Sequence, residues 1–310
     1  MPELRAGSPE QVALRAELLE RGLLIDSGEP GVYGRGAAFE AVRTGIDALV
    51  TRAAVPDGAE PLRFPPVIPR RQLEDTGYLK SFPHLAGSIF AFEGSEEQAR
   101  ELHERSSRHE DWSGYVDQSP LVLLPAACYP VYPAIARRGP LAPGGVTIDT
   151  GGAYVFRHEP STDPARLQMF HMRELVRIAE PETVAAWRDA WRDRAVELLR
   201  ALGLAVEFDV AADPFFGRGG RMMARSQKAQ ALKFEILAPM AGPEPTAIAS
   251  FNYHQDHFAG THGLVMEDGS GAHTACLGFG LERVTLALLA VHGFDPAAWP
   301  AGVRADLGLG

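Results

Sequence analysis

Val155-Phe156-Arg157-His158-Glu159 alternates in side-chain character, and the polar segment Pro160–Arg166 separates it from a second run, Gln168–Ile178. Ala153–His158 is a candidate strand, and because successive side chains on a strand point to opposite faces, the alternation over Val155–Glu159 puts Arg157 and Glu159 on one face. On the candidate partner strand, Phe170, Met172 and Glu174 likewise share a face. One sheet surface then displays an arginine, two carboxylates and an aromatic ring. Such a surface suits a charged, planar ligand, with arginine on a phosphate or carboxylate and the ring against a base. A solvent-facing strand pair with ordinary salt bridges has the same alternation.

Outward from this pair, the chain reads as strands separated by loops and helices. Ser8-Pro9-Glu10-Gln11 opens a helix with a capping box and an early proline. Phe39, Val42, Ile46 and Leu49 stack on one face of a helix over Ala37–Arg52. Leu62–Ile68 is strand-like but broken by Pro65 and Pro66, which restricts it to an edge, a bulge or a subunit boundary. Leu121–Leu124 is apolar and stops at Pro125. Pro181 and Gly203 bracket a long amphipathic helix carrying Trp187 and Trp191. Lys233–Leu237, Thr246–Tyr253 and Ala275–Gly280 are strands, and Leu281–Val291 is a final helix. No regular βαβ alternation runs through the chain, so an α+β domain is expected rather than a Rossmann fold.

Composition narrows the function class. In 310 residues, 45% are hydrophobic and 23% charged, as in a soluble protein with a substantial core. No apolar run is long enough to span a bilayer, and Met1–Gln11 lacks a secretory signal, so a cytoplasmic location without membrane association is expected. A formal charge of −10 argues mildly against a general nucleic-acid binder. Cys128 and Cys276, the only cysteines, read by themselves as two buried thiols. Gly278-Phe279-Gly280 before a helix either brings a ligand to the helix N-terminus or makes a tight turn.

Together these stretches carry a family resemblance. Phe156-Arg157-His158-Glu159 resembles motif 2 of the class II aminoacyl-tRNA synthetases, and Gly278-Phe279-Gly280-Leu281-Glu282-Arg283 resembles motif 3. Pro65-Pro66-Val67-Ile68, after the helix at Ala37–Arg52, has the layout of motif 1, and all three stand in the family's order. Leu123–Cys128 and Ala275–Arg283 are similar to segments of the zinc-containing, archaeal-type seryl enzymes. That resemblance implies an antiparallel sheet flanked by helices and a zinc ion held by Cys128, Glu174 and Cys276. Two thiolates and a carboxylate suit zinc and leave a position open, which the resemblance assigns to the substrate α-amino group.

It also implies residue roles. Arg157 would bridge the amino-acid carboxylate and the ATP α-phosphate, and Glu159 would accept from the adenine amino group. Phe170 would stack on adenine, with Arg283 on its other face or at the γ-phosphate. Arg166 would contact phosphate, and Glu174 and Asn252 would join Arg157 around the amino acid. Magnesium accompanies ATP; Thr246 stands where seryl enzymes place a magnesium-binding Glu, so no protein ligand is assigned to it. His254, Asp256 and His257 complete no ligand pattern and are expected to shape the pocket or the fold.

The resemblance runs from about Gly31 to Phe294, which makes residues 1–310 one catalytic domain with an N-terminal helical extension over 1–30. The tRNA-gripping arm of the seryl enzymes has no counterpart, and the motif 2 loop Pro160–Arg166 is short. In this the chain is similar to stand-alone homologues, the amino acid:carrier protein ligases. These form an aminoacyl adenylate and pass the amino acid to the phosphopantetheine thiol of an acyl carrier protein. The segments Asp213–Arg221 and Ser250–Phe258 have the look of that group. The expected substrate is glycine or alanine, with serine a third candidate, because a zinc-held amine has little room beside it. No tRNA is expected as partner, and the chain should pair as a homodimer through motif 1. tRNA aminoacylation and a non-catalytic amino-acid- or nucleotide-binding role are the alternatives; the second would be expected to lose the motif arginines, which are present. Finally, Arg221, Arg225 and Lys228 fall on one side of a helix after Gly220, either a solvated surface or a docking face for an acidic carrier.

Overall fold

A computed structural model describes residues 4–310. Residues 1–3 of the expected extension lie outside the described residues. Ser8 caps the helix Pro9–Glu20: its hydroxyl accepts from Gln11 N–H while the Gln11 side chain accepts from Ser8 N–H at 2.8 Å. The extension is not helical throughout, because Leu24–Asp26 pairs antiparallel with Tyr33–Arg35.

The centre is a seven-stranded sheet in the order Glu60–Pro61, Val146–Phe156, Met169–Ala179, His273–Gly280, Thr246–Gln255, Lys233–Ala238, Glu207–Val210. Every neighbouring pair is antiparallel except the first, where the two-residue edge strand Glu60–Pro61 runs parallel to Val146–Phe156. Beyond that edge strand the chain is irregular until Val67–Pro69, itself an edge of a separate three-stranded sheet. Pro65 and Pro66 thus sit between strands, where their missing N–H groups break no ladder.

Helices Ala37–Ala54, Pro181–Ala201 and Leu281–His292 cover one face of the large sheet. Their apolar stripes explain it: Phe39, Val42 and Ile46 of the first and Trp191, Ala195 and Leu199 of the second are buried. Arg173, 1% exposed, reaches from this face to Asp47 on the first helix at 2.9 Å and to Asp149 on the neighbouring strand at 2.6 Å. Glu174, the next residue, must therefore point to the opposite face. That face carries the site. Among the described residues no helix is long and apolar enough to cross a membrane.

Candidate active site

Register places the residues. Glu174 pairs with Gly278, Gly278 with Ser250, and Cys276 with both Val176 and Asn252. Directly opposed residues share a face, so Met172, Glu174, Cys276, Gly278, Ser250 and Asn252 look into one cavity of about 440 Å³. Gly278 is required for close approach: a Cβ there would come within 3.1 Å of the Met172 sulfur and 3.2 Å of Glu174 Cγ. Cys128 enters from the turn after the strand Asp117–Leu123, in the chain that follows Pro125.

Cys128, Glu174 and Cys276 are all buried, and one ligand atom of each lies within 4.8 Å of the other two. The sequence expectation brought together residues from three distant segments, and the structure brings them together too. Glu174 Oε1 accepts the Ala127 N–H at 3.0 Å, whereas its Oε2 is buried without a partner, as is Asn252 Oδ1. Burial, reinforced by the neighbouring Cys276 sulfur, pushes the Glu174 carboxyl up to about 8. The two sulfurs lie close enough to interact. Hydrogen bonding from Cys128 holds Cys276 well below the usual thiol value, and the same bond with burial drives Cys128 well above it. A buried carboxylate oxygen with nothing to bind, set beside two sulfurs, is what a divalent cation would satisfy. The donor set fits zinc.

Arg157 and Glu159 depart from expectation in one respect. The strand starts earlier than its alternation suggested and ends at Phe156, so neither residue lies on a strand face. The ladder closes with Arg157 N–H bonded to Gln168 O; the Glu159 N–H then turns back to Arg157 O at 2.8 Å, ahead of Pro160. Arg157 lines the cavity nonetheless, its guanidinium 5.9 Å from the Phe170 ring centre. Phe170 is buried at 6% exposure on the strand beside it.

Arg283 follows the glycines at the start of its helix. The adjacent Glu282, 1% exposed, docks that start by accepting the His171 N–H at 2.8 Å and pairing with Arg35 at 3.0 Å. Arg283 then donates to the carbonyls of Ala165 at 2.7 Å and Ala247 at 3.0 Å. Burial, with the like charges of Arg157 and Arg166, pushes its guanidinium down to about 10. Arg166 is 3.8 Å from Asp163. Arg157 and Arg166 repel Arg283, a cost that a polyphosphate would reverse.

Other residues of the cavity were assigned no role in binding from the sequence. Asp213 lines the cavity, 2.7 Å from Lys233 Nζ and 2.8 Å from Gln227 Nε2. Burial alone would raise its carboxyl, yet Lys233 and Gln227 hold it below the ordinary value. Only the fold makes that network, since Gln227 lies on the helix Gly217–Ala229 and Lys233 on a strand. The helix displays Arg221, Arg225 and Lys228 to solvent, while Met223, Ser226 and Gln227 line the cavity. His254 and His257 also line it, and neither joins the cysteine–glutamate cluster.

This sheet, with its cluster of arginines at one end and a metal-type cluster at the other, has the fold of the catalytic domain of class II aminoacyl-tRNA synthetases. M. kandleri SerRS, solved in complex with A. aeolicus tRNASec, superimposes with a TM-score of 0.80 at 22% identity, over 95% of this chain and 60% of that one. The seryl-tRNA synthetase from Pyrococcus horikoshii complexed with ATP gives 0.66 at 17% identity, over 95% of this chain and 62% of that one. In sequence, the type-2 serine–tRNA ligase of Methanopyrus kandleri is 28% identical over 286 residues, 85% of this chain but only 53% of that protein. No protein-family model matches the chain. Amino acid–acyl-carrier-protein ligase 1 of Bradyrhizobium diazoefficiens is 47% identical over 302 residues, 96% of this chain and 91% of the relative. Ligase 2 of that organism is 48% identical over 94% of this chain and 87% of its own length. The chain belongs to this family of amino acid–acyl-carrier-protein ligases.

Proposed function

We propose that the protein activates a small amino acid with ATP and transfers it to the phosphopantetheine thiol of an acyl carrier protein. The observation that carries this is the opening of the Cys128–Glu174–Cys276 cluster and Arg157 into one cavity, in a chain 47% identical to a ligase of that name. Cys128, Glu174 and Cys276 would hold zinc, whose open position supplies a Lewis acid for an unprotonated α-amine. Asn252 Oδ1, buried without a donor, is available to the same amine. Arg157 orients the substrate carboxylate beside the α-phosphate. A carboxylate oxygen attacks phosphorus, the bond to the bridging oxygen breaks, and pyrophosphate leaves. Phe170 and Glu159 hold the adenine, and Arg166 and Arg283 take phosphate charge, with magnesium carried by the nucleotide. In the second half, the carrier thiol gives up its proton to solvent, its sulfur attacks the carbonyl carbon, the bond from that carbon to the phosphate oxygen breaks, and AMP departs. Proximity and fixed charge supply the rate, since no protein nucleophile is needed. A zinc-held amine with little room beside it would favour glycine or alanine, with serine a third candidate.

Incubation with ATP, glycine or alanine, and a phosphopantetheine-loaded carrier is expected to give a thioester seen as a mass shift. Aminoacylation of tRNA without transfer to any carrier would overturn the acceptor. The helix Gly217–Ala229 supports a docking role for Arg221, Arg225 and Lys228, which form an exposed basic face on an acidic chain. Reversing the charge of Arg221 and Arg225 should slow carrier transfer about tenfold or more at low salt, with little change in adenylate formation. Unchanged transfer and salt dependence would place docking elsewhere.

Pairing as a homodimer is part of the same proposal. Ala41, Thr44 and Ala48 of the motif 1 helix lie exposed along a groove against residues 307–309. Light scattering at micromolar concentration is expected to give the mass of two chains, and a monomer would contradict it.

A further inference from the structure

Beside the metal-type cluster stands a histidine that the reaction as described does not use. His254 Nε2 lies 3.5 Å from Cys276 Sγ, and its Nδ1 lies 3.2 Å from the hydroxyl of Thr274, a fully buried residue. The backbone at this point is irregular: Tyr253 pairs with Ala275 and Gln255 with Thr274, so His254 is the extra residue of a β-bulge. Gln255, at φ 55, takes the left-handed conformation that accommodates it. Phe258 meets the imidazole edge-on at 4.9 Å and Tyr132 at 6.2 Å, fixing the ring plane. His254 is not one of the clustered ligands, since its nitrogens fall outside the set whose atoms all lie within 4.8 Å of one another. It reaches a single sulfur.

We infer that His254 is a positioning residue for the amino-acid site, its Nε2–H donating to the Cys276 thiolate while the Thr274 hydroxyl donates to Nδ1 and fixes that tautomer. A buried thiolate without donors is costly, and besides the Cys128 sulfur, His254 and Asn252 Nδ2 at 3.7 Å both face Cys276. Hydrogen bonds to one sulfur draw charge from it and leave the two thiolates unequal as ligands. A cation between them is then less neutralised and binds an amine more strongly, while imidazole bulk stops Cys276 from turning away. Neighbouring groups of this kind commonly set metal affinity as strongly as some ligands do.

The inference rests on reading the cluster as a zinc site, and cobalt separates the two ideas. Metal-free full-length protein is titrated with Co²⁺ and followed by the thiolate-to-cobalt charge-transfer band, before and after glycine. The wild type is expected to bind one cobalt with that band. His254→Leu, which keeps bulk but no donor, should weaken cobalt binding about ten- to a hundredfold and shift the band. His254→Gln, which retains a side-chain N–H, should recover part of both, and Thr274→Val should shift the band through the ring alone. A merely structural histidine would leave the band in place. If His254→Leu and Thr274→Val bind cobalt as the wild type does, with the band unmoved, this role is overturned and the zinc site stands. If the wild type itself shows no thiolate band, the zinc reading falls and this inference with it.

Discussion

Arg157→Ala is expected to lower amino-acid-dependent ATP–pyrophosphate exchange, measured without any RNA, by at least about a hundred- to a thousandfold. The reason is charge development. Attack by a carboxylate on the α-phosphate brings two anions together, and a fixed cation between them stabilises the transition state more than the ground state. Arg157 is placed for this because it projects into the cavity from just beyond a strand end and rests on the Phe170 ring rather than on a carboxylate. Among the described residues it forms no salt bridge, although the Asp213 carboxylate is near enough to attract it. Arg157→Lys should recover only part of the loss, since an ammonium lacks the planar fork that spans two oxygens. Metal content should be unchanged in both variants, which separates a lost catalytic charge from a collapsed site. Exchange at the wild-type rate in Arg157→Ala would mean that motif 2 has been misread. Arg283→Ala should also be inactive, but it additionally removes bonds to Ala165 and Ala247, so its loss is less diagnostic.

Cys276→Ser is expected to take zinc from one ion per chain to almost none, with exchange activity falling in parallel. A serine hydroxyl stays protonated at neutral pH and is a poor zinc ligand, so two good ligands remain where three are needed. Cys128→Ser should behave alike, because both sulfurs lie within 4.8 Å of a Glu174 oxygen. Metal analysis of dialysed protein decides it, and equal zinc in wild type and variant would remove the site altogether. Unfolding by urea should be followed in the same samples, since all three side chains are buried and a fold defect would appear there first.

Legibility varied with the range of the interaction. The helix at Pro9 was readable because its capping box is local, and the partner strands around residue 170 were readable because side-chain alternation is local. The family motifs carried the rest, picking out Cys128 and Cys276 from a chain in which their separation gave no hint of contact. Where the strand Val146–Phe156 ends was not legible. Alternation continues through Arg157-His158-Glu159 in the sequence, and only the turn-like bond from Glu159 to Arg157 breaks it. The parallel edge strand Glu60–Pro61 was hidden for a different reason, as two residues hold no periodicity. Helix Glu96–Ser107 buries none of its side chains and so lacks an apolar stripe, although Ser95-Glu96-Glu97-Gln98 is a capping box that would have marked its start. Asp213 was invisible as a site residue because Gln227 and Lys233 meet it through folding alone.

The helix Gly217–Ala229 has a geometric consequence for how a tethered reactant gets in. With Arg221, Arg225 and Lys228 on its outer side and Met223, Ser226 and Gln227 on its inner side, the chamber wall there is a single helix thick. An α-helix with its side chains is about 10–12 Å across. Any macromolecule resting on the outside would therefore keep its bulk off the reaction centre while standing only that far from the chamber. What crosses the wall need only be a slender, flexible appendage. On the proposed reading, a wall this thin would sort acceptors by width.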